Sequence, residues 1–382
     1  MERVMITKIA DNIISPLGTT SEENFNAVLA GETMLKRQEG IFGLPDPFCA
    51  SLFDRKYIRF LLDKELGLVE DLTFFENLCV LSAKKAIEEC NLSPRESNVI
   101  FILSTTKGNV DCLEESLSDK RCYLADSAHK IAKYFGNNNL PLVISNACIS
   151  GVCAQIAAVR ELLSGKYRYA VIIGADVLSK FIISGFQSFK ALSPEQCKPY
   201  DKDRIGLNLG EAVGTMILKA GKPSNEDDWQ YVASSIHNDA NHISGPSRTG
   251  EGSYRVLRDI LKEICVDEIG FVNVHGTSTA YNDEMESIAL HRANLDCVPI
   301  NGLKGYYGHT LGAAGIIETI LSMKAIENGV VLPTKGFETI GTSYNVNISN
   351  QVRGTDKSAF VKILSGFGGS NAGISYQKGG KV

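Results

Sequence analysis

The 382-residue sequence has no run of about 18–20 consecutive apolar residues, the length that a membrane-spanning helix needs. Its first residues also lack the apolar block and small-residue cleavage site of a secretory signal, since Lys8 and Asp11 interrupt them early. These absences predict a cytoplasmic protein with no membrane partner.

Positive charge is not in excess either. Lysine and arginine number 39 against 44 acidic residues, which gives a net charge of −5. A general nucleic-acid-binding surface is basic, so no nucleic-acid partner is expected, although a local basic patch could still receive an acidic protein. Hydrophobic residues at 44% and charged residues at 22% are typical of a soluble globular protein.

The ten cysteines contain no Cys-x-x-Cys pair and are scattered along the chain, often inside apolar runs. Cys112 and Cys122 are too far apart for a local metal site, and no histidine stands at ligand spacing. The pattern predicts reduced cysteines that pack as small hydrophobic residues, and no bound metal. Cys148 is the exception.

Strand-like and helix-like segments alternate along the chain, which predicts an α/β fold. A polar stretch at 221–228 separates two portions of similar pattern, 1–221 and 222–382, although no repeat of fixed period is visible. We therefore expect two similar halves that share a central sheet. The predicted strands are 99–103, 140–145, 169–173, 270–274 and 360–364, and the predicted helices are 151–163, 283–293 and 312–328.

Cys148 lies at a strand-to-helix junction, in the block Ser145-Asn-Ala-Cys-Ile-Ser-Gly151. Free N–H groups and the positive end of a helix dipole can lower a thiol pKa there and can hydrogen-bond an oxyanion. A buried cysteine at a tight turn fits this block equally well.

Two histidines stand in glycine-flanked positions. His275 begins a His-Gly-Thr-Ser-Thr block after a strand, and His309 precedes a Gly/Ala-rich helix start, five residues after Lys304. A single histidine of this kind is more often structural. A thiol, two histidines and a lysine together indicate a covalent acyl-transfer site rather than a metal site.

These blocks resemble the β-ketoacyl-acyl carrier protein synthases, condensing enzymes with the thiolase-like fold. The resemblance covers about residues 1–380 and implies a duplicated α-β-α-β-α layered architecture. The blocks that match in order and spacing are Asn146–Gly151, His275–Thr279 with Asp283 and Glu286, Lys304–Gly315, Gly366–Asn371 and, more loosely, Pro199–Gly206 with Gly210-Glu211.

The resemblance implies a role for each matching residue. Cys148 would accept an acyl group, and His275 and His309 would bind the malonyl thioester and assist its decarboxylation. The backbone amides of Cys148 and Phe367 would form the oxyanion hole, with Phe367 also gating the acyl pocket. The implied supporting residues are Lys304, Glu318, Asp283, Thr277 and Thr279.

The pair of histidines separates the chain from thiolases, which use a second cysteine, and from initiating synthases, which use histidine and asparagine. The implied reaction is a decarboxylative Claisen condensation with malonyl-acyl carrier protein, in fatty-acid or in specialised lipid or polyketide assembly, polyenes included. The implied partners are an acyl carrier protein, which supplies its own phosphopantetheine, and a second subunit in a homodimer or heterodimer. No cofactor is expected.

Some residues depart from the family pattern near the implied acyl pocket: Asn146, Ile149, Ser365 and the segment 204–207. They favour a specialised pathway. The alternative is a chain-length-setting partner subunit without condensing activity of its own, which the presence of Cys148, His275 and His309 disfavours.

Overall fold

The computed structural model describes residues 4–67, 71–223, 225, 227–243 and 245–379. Its strands are β1 (Ile6–Ile14), β2 (Lys36–Gln38), β3 (Phe48–Ser51), β4 (Val99–Ser104), β5 (Leu142–Ile144), β6 (Tyr169–Asp176), β7 (Leu209–Gly210), β8 (Ala212–Ala220), β9 (Trp229–Asn238), β10 (Ile269–Asn273), β11 (Ile300–Asn301), β12 (Val330–Val331), β13 (Arg353–Gly354), β14 (Ala359–Gly366) and β15 (Ser370–Lys378). Its α-helices are α1 (Ser21–Leu29), α2 (Arg55–Leu66), α3 (Phe74–Glu89), α4 (Leu124–Tyr134), α5 (Ser150–Leu163), α6 (Lys180–Ser188), α7 (Glu251–Ile260), α8 (Ala280–Arg292), α9 (Lys304–Tyr307) and α10 (Ala314–Glu327).

Ten of these strands form one sheet, in the order β11-β10-β14-β15-β9-β1-β8-β6-β4-β5. The first half of the chain supplies β1, β4, β5, β6 and β8, and the second half supplies β9, β10, β11, β14 and β15. When the five strands of each half are numbered in chain order, they lie in the order third, second, fourth, fifth, first from the outer edge of the sheet to its middle. In both sets the fifth strand is antiparallel to its two neighbours and the other pairs are parallel. The predicted duplicated fold is confirmed.

Two helices lie between the two halves of the sheet, and other helices cover the outer faces. α5 and α10 lie in the middle, where α5 contacts β4, β6 and β15 while α10 contacts β8, β6 and β14. α3 and α4 cover the outer face of the first half, and α7 and α8 cover that of the second. The central core combines side chains from both halves, so the layers read α-β-α-β-α, as the resemblance implied.

The boundary between the halves stays a prediction, because they share one sheet and one central core. Of the predicted linker 221–228, residues 224 and 226 lie outside the described part of the chain. β8 ends at Ala220 and β9 begins at Trp229, so the linker does lie between two strands. The halves meet where β1 pairs with β9, with Thr7 opposite Gln230 and Lys8 opposite Trp229.

The predicted strands and helices are present, with shifted ends. The strand expected at 140–145 is only Leu142–Ile144, and the helix expected at 312–328 is a 3-10 turn at Leu311–Ala313 followed by α10. β5 is the edge strand, and its side chains are only half-buried. No helix in the described part of the chain is long and apolar enough to cross a membrane.

Two glycines let the central helices touch. A Cβ on Gly315 of α10 would lie 2.5 Å from the Val152 nitrogen and 2.9 Å from the Gly151 Cα, closer than real Cβ atoms approach. Both residues are buried, so no side chain can turn outward. The absence of Cβ atoms therefore fixes the distance between α5, which begins just after Cys148, and α10, which begins just after His309.

Gly315→Ala is expected to lower the free energy of unfolding by about 2–3 kcal/mol, because backbone atoms on both helices must move apart. Thermal or denaturant unfolding measures the change. Gly185→Ala is the matched control, since Gly185 also lies in a helix but has no atom within 4 Å of the position that a Cβ would take. Equal stability of the two variants would contradict close helix packing at Gly315.

Candidate active site

Cys148 lies in a tight turn between β5 and α5. Ala147 has a φ of 44°, a conformation that non-glycine residues rarely adopt and that costs of order 1–3 kcal/mol. Ser150 stabilises the turn, since its hydroxyl accepts the Asn146 N–H at 2.8 Å and donates to the Ala147 carbonyl at 2.6 Å. Cys148 is 6% exposed and its side chain lines a cavity.

The Gly366-Phe367 backbone comes directly against this turn. A Cβ on Gly366 would lie 3.2 Å from the Cys148 nitrogen, so glycine allows the two segments to approach. The Phe367 backbone amide lies near enough to the Cys148 sulfur to favour the thiolate. The two amides predicted for the oxyanion hole therefore lie side by side at the sulfur, and their role in stabilising an oxyanion stays a prediction.

Burial raises the pKa of the Cys148 thiol to about 11, although the positive charges of Lys304 and Lys107 and the Phe367 amide act in the opposite direction. The expectation of a lowered thiol pKa is therefore wrong. At neutral pH the sulfur carries its proton, which must leave when the sulfur becomes a nucleophile.

His275 and His309 lie beside the thiol. Their ring centroids are 5.1 Å apart at an interplanar angle of 84°, and one side-chain atom from each of Cys148, His275 and His309 lies within 4.8 Å of the others. His275 follows the end of β10, and His309 lies between α9 and the turn that leads into α10. Residues 127 and 161 positions along the chain from Cys148 thus meet it in one cluster, as the sequence predicted.

Both histidines are neutral at pH 7. Burial lowers the pKa of each imidazole well below its ordinary value, and the positive charges of Lys304 and Lys362 lower it further. The Leu311 N–H donates to His309 Nδ1 at 3.3 Å, which leaves the proton of the neutral ring on Nε2. His309 Nε2 and His275 Nδ1 have no hydrogen-bond partner among the described residues.

Lys304 contacts the backbone of His275. Its ammonium group donates to the His275 carbonyl at 2.6 Å and to Glu318 Oε1 at 2.9 Å. Burial alone would raise the pKa of Glu318, but Lys304 and Lys362 together bring it below its ordinary value, so this carboxylate is charged. The predicted Lys304–Glu318 pair is present and fully buried.

The carboxylates of α8 hold the backbone around His275. Glu286 accepts the N–H groups of His275 at 2.7 Å and Gly276 at 2.8 Å. Asp283 accepts the Thr277 N–H at 3.0 Å, and the hydroxyls of Thr277 and Thr279 lie 2.9 Å apart on the cavity wall. The predicted supporting residues thus lie around His275, and their functional roles stay predictions.

The sequence interpretation missed Lys362, which is fully buried in β14 and forms an ion pair with the second oxygen of Glu318. A lysine in the middle of the apolar run Ala359–Gly366 was the available signal. The interpretation also missed Phe186 and Phe189, which no motif marks. Their rings lie 5.8 Å and 5.3 Å from that of Phe367, so the predicted gating residue rests on an aromatic cluster.

The cavity above the cluster has a volume of about 930 Å³. Its lining includes Cys148 and the two histidines as well as the apolar side chains of Phe186, Phe189 and Ile205. This volume lies at the upper end of ordinary ligand pockets and has room for an extended chain.

Only some of the residues that depart from the family pattern reach this cavity. Ser365 lines it and donates to Asn371 Oδ1 at 2.8 Å, and residues 205–207 line it too. Ile149 instead packs in the central core, and the Asn146 side chain is exposed outside the cavity wall. That these two residues lie near the acyl pocket stays a prediction, and Asn146 Oδ1 accepts a hydrogen bond at 3.4 Å from Ser370, which lines the cavity.

A buried thiol, two neutral imidazoles and converging backbone amides on a thiolase-like fold define a thiol-dependent acyltransferase. Two family models match the sequence, the beta-ketoacyl synthase N-terminal domain over residues 69–223 and the beta-ketoacyl synthase C-terminal domain over residues 230–338. Together they cover more than half of the chain. The protein belongs to the β-ketoacyl synthase family.

Individual relatives agree with this membership. The chain is 26% identical over 418 residues to 3-oxoacyl-[acyl-carrier-protein] synthase 2 of Vibrio cholerae, with 98% of this chain and 99% of the relative covered. It is 25% identical over 331 residues to Nodulation protein E of Rhizobium leguminosarum bv. trifolii, with 80% and 82% covered. Among solved structures, the ketosynthase ApeO in complex with its chain length factor ApeC from Xenorhabdus doucetiae superposes with a TM-score of 0.87 at 22% identity, covering 98% of both chains.

The raised thiol pKa predicts how Cys148 reacts with iodoacetamide, since only the thiolate is alkylated. We expect slow modification at pH 7 and a rate that rises about tenfold with each pH unit up to pH 9. Peptide mass spectrometry of timed samples measures the rate. The exposed Cys297, read from the same digest, confirms that active reagent is present in each sample. A Cys148 rate that is already level below pH 8 would contradict the prediction.

Proposed function

We propose that this protein catalyses the decarboxylative Claisen condensation of a Cys148-bound acyl group with malonyl-acyl carrier protein. The observation that supports it most directly is the meeting of Cys148 with two neutral histidines, because a thiol alone would serve any acyl transfer. The products are a β-ketoacyl-acyl carrier protein and carbon dioxide.

In the first half-reaction, the Cys148 sulfur attacks the carbonyl carbon of an acyl thioester. The thiol proton passes to a neutral imidazole within the 4.8 Å cluster and then to the departing phosphopantetheine thiol. The Cys148 and Phe367 amides donate to the oxyanion of the tetrahedral intermediate. The acyl group is then bound to sulfur and the carrier leaves.

In the second half-reaction, the malonyl thioester carbonyl oxygen accepts hydrogen bonds from the imidazole N–H groups. The carbon–carboxylate bond breaks, carbon dioxide leaves, and its electron pair forms an enolate held by those donors. The enolate carbon attacks the acyl carbonyl, and the Cys148 thiolate departs. Neutral histidines suit this step, since they donate to the enolate oxygen without first transferring a proton to it.

The chemistry needs no resident cofactor or metal, because decarboxylation drives carbon–carbon bond formation and the phosphopantetheine arrives on the carrier protein. The acyl carrier protein is thus the proposed partner at the mouth of the cavity. The cavity volume and the Ser365 hydroxyl in its wall favour a specialised acyl chain over a housekeeping one. A cytoplasmic location is consistent with ten free cysteines.

A second subunit is proposed at the free edge of the sheet. β5 is the edge strand, its side chains are half-buried, and the adjacent Leu140 is 69% exposed. Unpaired apolar edge strands are commonly covered by another chain. Pairing with a second copy of this chain gives the homodimer, whereas pairing with a related subunit gives a heterodimer.

Intact-protein mass spectrometry tests the reaction. We expect the wild type to gain an acyl mass from acyl-carrier substrates and to yield a β-ketoacyl product after malonyl-carrier is added. Cys148→Ala should show neither, because the only proposed acyl acceptor is gone. His275→Ala should gain the acyl mass more slowly, because a proton acceptor is lost, and should lose the product by at least about a hundredfold.

Circular dichroism of each variant serves as the folding control. A folded wild type that gains no acyl mass across a broad range of chain lengths would overturn the proposal, and would favour the chain-length-setting partner subunit instead. Acylation that persists in Cys148→Ala would place the nucleophile elsewhere.

Light scattering during size exclusion tests the second subunit. The wild type is expected to run at twice the 41.5 kDa chain mass. Leu140→Lys should weaken the dimer at least about tenfold, since a charge beside an edge strand opposes pairing. Val352→Lys, at another exposed apolar residue in the second half, is the control and should leave the mass unchanged. A monomeric wild type would indicate a heterodimer.

A further inference from the structure

Lys362 is a buried cation that the proposed reaction does not use. It lies in the middle of β14, between β10 and β15, where Asn273 and Ile374 are its register neighbours. Its side chain is completely buried. A lysine is rarely kept in such a position without specific partners, because removing the ammonium group from water costs several kcal/mol.

The partners of Lys362 mirror those of Lys304. Lys362 Nζ donates to the Val274 carbonyl at 3.2 Å and to Glu318 Oε2, whereas Lys304 Nζ donates to the next carbonyl, that of His275, and to Glu318 Oε1. The Glu318 carboxylate therefore accepts from both ammonium groups. The same two groups donate to the consecutive carbonyls of Val274 and His275, just after β10.

This arrangement fixes the backbone of His275 from both sides. The lysines take the carbonyls of Val274 and His275, while Glu286 takes the N–H groups of His275 and Gly276. β14 also continues into Gly366 and Phe367 at the sulfur. Lys362 thus links β14, which leads to the Phe367 amide, to the end of β10, which leads to His275.

The two lysines also determine the net charge close to the histidines. With Glu318 ionised, Lys304, Lys362 and Glu318 together carry one net positive charge. The positive charge of Lys362 acts on both His275 and His309, in the direction that disfavours protonated imidazole. Burial lowers the pKa of Lys362 itself, and Glu318 opposes that effect. Further titratable groups near the histidines include Cys148, Asp283 and Glu286, and Asp176 and Lys107 also act on Cys148.

We propose that Lys362 is a positioning residue for the histidine pair: it clamps the backbone beside His275 and supplies a second positive charge that adds to burial in disfavouring protonated imidazole. This rests on the proposed function, in which neutral imidazole N–H groups hold the malonyl thioester carbonyl. Lys362 acts through the histidines and touches no reacting atom.

Lys362→Met tests the charge. Since it removes one positive charge from beneath the rings, both imidazoles should protonate at a higher pH, and the acid limb of the condensation pH profile should move up by about one pH unit. The double variant Lys362→Met/Glu318→Gln restores the wild-type net charge without the clamp. Its acid limb should stay near that of the wild type while its kcat falls at least about tenfold. Lys324→Met, on the solvent side of α10, is the control and should not move the limb.

Carbon-13-labelled histidine ring signals give a readout that does not require activity. His275 and His309 are assigned with single His→Gln variants, and Lys362→Met should raise the pH at which both signals titrate.

An unchanged titration and an unchanged acid limb would overturn the charge role, and a double variant with wild-type kcat would overturn the clamp. If Lys362→Met does not fold, Lys362→Gln is used, because it is neutral yet still donates hydrogen bonds. A wild type that never condenses defeats the proposed function, whereas the ring titration still decides on Lys362.

Discussion

The contact of α5 with α10 at Gly151 and Gly315 is the constraint on which the site depends. The nucleophile precedes one of these helices and His309 precedes the other, so the distance between helix axes sets the distance between thiol and imidazole. A side chain at either glycine would separate the two helix starts. The duplicated sheet surrounds this contact with strands from both halves, so the chemistry sits where the halves of the chain meet and not within either of them.

Burial then determines the protonation of every group in the site. It leaves the thiol protonated and the imidazoles neutral, and it leaves Glu318 charged only because two lysines compensate it. A site made of neutral donors can hold a developing enolate without an advance change of protonation, and the Glu318 carboxylate keeps the two ammonium groups in place.

Much of this was readable from the sequence where the signal is local. The strand–turn–helix pattern around Cys148 and the glycines around His275 and His309 pointed to residues that do meet in one cluster, and their catalytic roles stay predictions. Lys362 was missed because its meaning depends on Glu318, a residue 44 positions away that periodicity does not connect to it. Ile149 adjoins Cys148 in the chain but packs in the central core, which the sequence around Cys148 alone does not reveal. Thiol burial, which reverses the expected pKa shift, is a property of the packed molecule only.

The position of β5 gives the assembly a further consequence. The same three-residue strand is the open edge of the sheet and the segment that leads, after Ser145, Asn146 and Ala147, into the nucleophile. A chain that pairs along this edge holds the strained turn from one side, whereas a lone chain leaves Ser145 and Asn146 in solvent. In the proposed dimer, subunit association and the placement of the thiol would be coupled, so dilution below the dissociation constant would lower the activity of each chain and not merely the amount of complex.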